Sequence, residues 1–157
     1  MAPPSLRISN LSKTYSNGVR ALREIKLEIP SGIFGLLGKN GAGKSTLMRT
    51  LATLQPADEG EAYLDEVSLL EDYQEARRLI GYLPQEMGVY PHMSARETLE
   101  YFTGLKGLAG EIDVSEALAR VNLADVADQR LDTFSGGMRR RFGIAVAFLG
   151  QPRLVIV

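Results

Sequence analysis

One stretch limits this chain more than any other: Gly38-Lys-Asn-Gly-Ala-Gly43-Lys44-Ser45. It fits G-x-x-x-x-G-K-[ST] at every fixed position. The apolar run Ile33 to Leu37 comes just before it and reads as a strand buried on both faces. Leu47, Leu51 and Leu54 follow at the spacing of a helix. A glycine loop between a buried strand and a helix predicts an α/β fold. The chemistry accounts for the spacing. Glycines let backbone N–H groups turn inward with no Cβ in the way, and the following helix aims its positive end at the same place. Lys44 brings a charge suited to β- and γ-phosphates, and Ser45 a hydroxyl suited to Mg²⁺. The expected phosphate-lining set is Gly38, Asn40, Gly41, Ala42, Gly43, Lys44, Ser45 and Thr46. With glycine near 7% of average usage, a chance match in a chain this long is about one in a few hundred.

The bulk numbers exclude several alternatives. The chain has 157 residues, 45% apolar and 24% charged, which suits one soluble domain. Its net charge of −1 gives no reason to expect a nucleic-acid partner. The absence of cysteine rules out disulfides and thiolate metal sites. No apolar run reaches the ~18 residues of a membrane span, and MAPPSLRISN lacks the apolar centre of a signal peptide. A cytoplasmic location is expected.

Ile25 to Ile29 alternates strictly and predicts an antiparallel strand, with a turn at Pro30-Ser-Gly32. Short strands are expected at 62–64, 79–83 and 154–157. Ser94-Ala-Arg-Glu97 is a capping box that should open a helix to about Leu105. Val114, Leu118 and Val121 mark a second helix over 113–121, and a third is expected from Met138 to Leu149. The segment after residue 85 is thus mainly helical.

Ser135-Gly136-Gly137-Met138-Arg139-Arg140-Arg141 opens that third helix. Alone it reads equally well as an N-capped helix and as a second anion-binding end. Paired with the glycine loop, it resembles the signature of the ABC ATPase family, Leu-Ser-Gly-Gly-Gln or Leu-Ser-Gly-Gly-Met-Arg-Arg-Arg, with Phe134 replacing the leucine. Tyr15, in Ser-Lys-Thr-Tyr-Ser-Asn-Gly, is similar to that family's adenine-stacking aromatic. Gln85, in Gly-Tyr-Leu-Pro-Gln-Glu, is similar to its glutamine that senses Mg²⁺ and the attacking water. The four motifs occur in family order, and the stretch from Gly81 to Ser94 looks most like the exporter branch.

The resemblance implies a P-loop NTPase core with an antiparallel β-region and a helical insertion. Residues 1–85 would form the β-rich nucleotide core, 86–150 the helical subdomain, and 151–157 the start of the strand that carries the Walker B carboxylate. It implies ATP and Mg²⁺ as ligands, with Lys44 and Gln85 catalytic and Ser45 and Gln85 at the metal. Two ATPase domains, as a homodimer or heterodimer, would sandwich ATP between Tyr15, Lys44, Ser45 and Gln85 of one copy and Ser135, Gly136 and Gly137 of the other. A transmembrane permease subunit would be the partner, with the chain peripheral at the inner face of the membrane and export its task.

The sequence departs from the family at its end. Leu-Val-Ile-Val should be followed by Asp-Glu-Pro, but the chain stops at Val157, with no Asp or Glu after Asp132. The expectation is a fold incomplete at its C-terminus, with doubtful hydrolysis and with strands 33–37 and 154–157 each short of a neighbour. His92 precedes the signature and reads as a surface loop residue, and most of the arginines 139–141 read as a solvated face. Two further classes follow: a non-catalytic nucleotide-binding fragment, and a soluble ABC ATPase not coupled to transport. The lack of heptads between Lys44 and Ser135 argues against chromosome-type members of the latter.

Overall fold

The computed structural model describes residues 5–84 and 92–157. The chain divides into two compact units, Met1–Arg77 and Arg78–Val157.

In the first unit, β1 (Leu6–Thr14) lies at the middle of an antiparallel sheet, between β2 (Arg20–Ile29) and β3 (Glu59–Leu64), and β3 also pairs with β4 (Val67–Ser68). Leu6, Ile8 and Leu11 are buried, a spacing that breaks the two-residue period of a flat strand. The break is a bulge in β1, followed by two register shifts of the opposite sense. Between Ile8 and Leu11 β1 carries one residue more than β2, while between Leu11 and Lys13, and again between Lys13 and Thr14, β2 carries one more than β1. Asn10 (φ 52°) and Glu24 (φ 46°) take the left-handed turns, as bulge positions do. Gly60 (φ 97°) lies against Asn10, and a Cβ there would fall 2.5 Å from Asn10 O. The expected alternation in β2 is present: Ile25, Leu27 and Ile29 are half-buried, while Lys26 and Glu28 are exposed.

Helix α1 (Lys44–Leu51) buries Thr46, Leu47, Thr50 and Leu51. Leu54 does not continue the stripe as its spacing suggested. Thr53 (φ 60°) turns the chain out of the helix, and Leu54 is exposed. The larger departure is at 33–37, where a buried strand was expected. These residues have no regular structure, and Ile33 and Leu37 are 106% and 94% exposed. A strand is held by the ladder to its neighbour, and no described strand pairs with this run. Its apolar composition alone does not make it one.

Helix α2 (Tyr73–Leu79) crosses the division of the chain. In the second unit, β5 (Ile80–Tyr82) pairs in parallel with β6 (Leu154–Ile156), close to the expected 79–83 and 154–157. Helices α3 (Ala95–Leu105), α4 (Val114–Arg120) and α5 (Gly136–Ala147) surround a core in which Leu99, Leu118, Leu123, Leu131, Phe134 and Phe142 are fully buried. The capping box is present: Ser94 Oγ accepts from the Glu97 amide (3.2 Å), and Glu97 accepts from the Ser94 amide (2.8 Å). These bonds hold the Glu97 carboxyl below the ordinary glutamate range. β5 runs so close to α5 that a Cβ on Gly81 would lie 1.8 Å from Ala147 O. The Lys106 ammonium fills the adjoining space, donating to Ile80 O and Leu149 O (both 3.2 Å), and burial lowers its pKa.

Candidate nucleotide-binding site

The backbone of 38–44 shapes the site in the first unit. Gly41 (φ 82°) and Gly43 (φ 87°) are left-handed, and a Cβ at Gly43 would fall 2.3 Å from Ala21 O on β2. Only glycine allows that approach. The Ala42 amide donates to Lys39 O (3.2 Å), and Lys44 Nζ reaches back to Gly38 O (2.6 Å) and Lys39 O (2.8 Å). The ammonium is therefore already directed at the inside of its own loop. Charged phosphate oxygens bind it better than neutral carbonyls, so a ligand can take over these bonds.

The helix ends differ in what they leave open. Helix α3 has its capping box, and its Ala95 and Arg96 amides donate to Gln129 O and Ala127 O. Helix α4 is capped by Asp113 and carries Glu116 in its first turn. Helix α1 starts from Gly43, with no side-chain cap and no acidic residue in its first turn. Its orphan N–H groups and positive dipole end are thus free for an anion. A built loop, a lysine directed into it and an uncapped helix make a phosphate cradle. The exposed Ser45 hydroxyl is the hard oxygen donor that Mg²⁺ takes alongside phosphates and water. Among the described residues, no group of three or more His, Cys, Asp or Glu side chains that could hold a metal ion occurs.

Tyr15 is brought to this cradle. It closes the hairpin between β1 and β2: its amide donates to Val19 O (2.9 Å), and the Gly18 amide donates to Tyr15 O (2.8 Å). Asp58 fixes the strand end just before it, accepting from the Thr14 amide (2.6 Å) and Lys13 Nζ (2.7 Å). These bonds, Lys13 first, hold the Asp58 carboxyl below the ordinary aspartate range. The Tyr15 hydroxyl lies 3.0 Å from Thr46 Oγ1 and 3.4 Å from Gln55 Oε1, and the bond to Thr46 lowers its pKa. Gln55 was not singled out from the sequence. No motif contains it, and only the turn at Thr53 brings it to the tyrosine.

The serine-glycine motif belongs to the second unit. Ser135 caps α5, its Oγ accepting from the Met138 amide (3.2 Å), and Ser135, Gly136 and Gly137 are exposed. Phe134 does more than substitute for a leucine, because it anchors the motif in the core of its unit. Arg139 Nε donates to Phe134 O (2.9 Å), while Arg140 and Arg141 are exposed. His92 is exposed in a turn, as expected of a surface residue. Gln85 lies outside the described residues.

The ABC transporter family profile matches residues 22–157, and the chain belongs to that family. It resembles the Phosphonates import ATP-binding protein PhnC 1 of Rhodopseudomonas palustris strain BisB18, with 39% identity over 97% of this chain and 62% of that protein. It is 35% identical to the Linearmycin resistance ATP-binding protein LnrL of Bacillus subtilis strain 168, over 97% of this chain and 50% of the relative. It is 34% identical to ABC transporter A family member 8 of Dictyostelium discoideum, over 96% of this chain and 19% of the relative. The chain thus spans less than two thirds of the length of these curated relatives. Among solved structures, a dimeric bacterial ABC transporter cassette superposes with a TM-score of 0.81 at 29% identity, covering 96% of this chain and 72% of that chain. The same cassette in a post-hydrolysis state bound to ADP and Pi gives a TM-score of 0.82 at 29% identity over the same shares. The fold is therefore that of the α/β ABC cassettes, and the chain carries an ABC ATP-binding domain. No described helix is long and apolar enough to cross a membrane.

Proposed function

We propose that this chain binds Mg-ATP in the 38–45 loop and, in its complete assembly, hydrolyses it to drive export of a substrate through a membrane-embedded permease. The observation that carries this reading is the uncapped α1 N-terminus with the Lys44 ammonium already directed into the same glycine loop. Gly38, Asn40, Gly41, Ala42, Gly43, Ser45 and Thr46 complete the phosphate side, and Tyr15 supplies a flat ring for the base. Bound Mg²⁺ would neutralise charge building up on the phosphates during transfer, with Ser45 and Gln85 as its protein contacts. Lys44 would hold the terminal phosphates for in-line attack, and Gln85 would orient the water. Ser135, Gly136 and Gly137 would face ATP held by a second ATPase domain in a two-copy sandwich, with the assembly peripheral at the inner membrane face. Export is favoured by the Ser-Gly-Gly-Met-Arg-Arg-Arg form of the signature and by the stretch around Gln85.

The test is calorimetric titration with a non-hydrolysable Mg-ATP analogue. Lys44→Ala should lose most of the affinity, because it removes the ammonium directed into the loop. Lys39→Ala should keep it, since Lys39 contributes its carbonyl. Equal affinity in wild type and Lys44→Ala would overturn the reading.

A further inference from the structure

We propose that Gln55 is a positioning residue that fixes the ring of Tyr15 for stacking on the nucleotide base, acting through a hydrogen-bonded tether shared with Thr46. The inference rests on the base-stacking role given to Tyr15 under the proposed function.

The proton arrangement of the tether is determined by its members. Gln55 Nε2 has two acceptors, Thr46 O (3.2 Å) and Thr50 Oγ1 (3.1 Å), which fixes the amide with its nitrogen toward α1. The Thr50 hydroxyl spends its own proton on Thr46 O (2.9 Å) and so can accept from that amide. Gln55 Oε1 is then turned toward the tyrosine and accepts its phenolic proton. With that proton committed, the phenol oxygen accepts from the Thr46 hydroxyl. Every proton has an acceptor, the two of the Gln55 amide included, and the chain of bonds runs from the α1 backbone to the aromatic ring.

The surroundings suit such a role. Thr46 and Thr50 are buried, so one end of the tether is rigid. Tyr15 is 37% exposed, leaving part of its ring available to a ligand. Without the tether the ring sits on a hairpin corner and must lose rotamer freedom when it stacks. With it, that ordering is already present in the free protein. Thr46 stands in the first turn of α1, directly after the glycine loop, so the tether ties the ring to the helix end proposed to receive the phosphates.

The experiment is calorimetric titration of the chain with a non-hydrolysable Mg-ATP analogue and, separately, with inorganic tripolyphosphate, which has no base. The variants are Gln55→Leu, the isosteric Tyr15→Phe, the double variant and Tyr15→Ala. ATP-analogue affinity should fall about three- to tenfold in Gln55→Leu and Tyr15→Phe, the scale of one hydrogen bond. The double variant should be no worse than either single one, because both cut the same tether. Tripolyphosphate affinity should not change. If Tyr15→Ala weakens the analogue while Gln55→Leu and Tyr15→Phe bind like wild type, stacking stands and the tether is wrong. If Gln55→Leu weakens tripolyphosphate as much as the analogue, Gln55 serves the loop and the proposal fails. If Tyr15→Ala loses nothing, the stacking role itself falls, and the tether with it.

Discussion

At the scale of single residues, position 43 is the least replaceable in the site. Its left-handed φ and its closeness to Ala21 O act together. Gly43→Ala must move either the loop or β2, at a cost of about 1–3 kcal/mol for the strained backbone. Thermal unfolding and tripolyphosphate titration should both register the change, and a variant matching wild type in both would show that the loop yields freely. Asp58 gives a prediction in pH. Its folded pKa is depressed by Lys13 and by the Thr14 amide. The stability it contributes is therefore fully present above the ordinary aspartate pKa and is lost as pH falls through the lower folded value. The melting-temperature gap between wild type and Asp58→Asn should close as pH drops below about 4. A gap that widens on acidification would contradict this sign. These residues also show how far the sequence reveals the site. The phosphate loop is legible because its chemistry lies in consecutive positions. Gln55 is not, because its partners come together only when the chain turns at Thr53.

At the scale of elements, α5 is held by its buried face. Phe142 is fully enclosed in the core of the second unit, among Leu99, Leu118 and Phe134. Phe142→Ala should cost about 3–5 kcal/mol, read as a lower denaturant midpoint with an unchanged slope. A loss below about 1 kcal/mol would mean that the cluster closes over the gap. Helix α3 was legible because its start is written locally, Ser94 with Glu97, and α4 from the stripe of Val114, Leu118 and Val121, whereas the short α2 was not expected. Among the strands, β2 was legible from its alternation, and the short apolar runs at 62–64, 79–83 and 154–157 are also strands. By contrast β1, whose bulge breaks the two-residue period, was not legible from the sequence. Residues 33–37 show the limit: their apolar run matches a buried strand in composition, but pairing is a property of two segments.

At the scale of the whole molecule, the two units each have their own core, and apolar exposure is concentrated at 33–37 among the described residues. Native-state hydrogen exchange should reflect this directly. Amides of β1 and β3 and of helices α3 and α5 should exchange slowly, and those of 33–37 within the shortest labelling time. Slow exchange at Ile33 or Leu37 would show that the run is paired in solution. The bulges of β1 and β2 bear on how this sheet can change over descent. Between the Ile8–Leu27 and Leu11–Ile25 pairs β1 has one residue to spare, so losing it would leave both pairs in place and the later side chains on their present faces. A residue gained or lost outside a bulge would instead turn every later side chain of the strand to the opposite face. Length changes among relatives should therefore gather beside Asn10 and Glu24 and be rare elsewhere in the two strands.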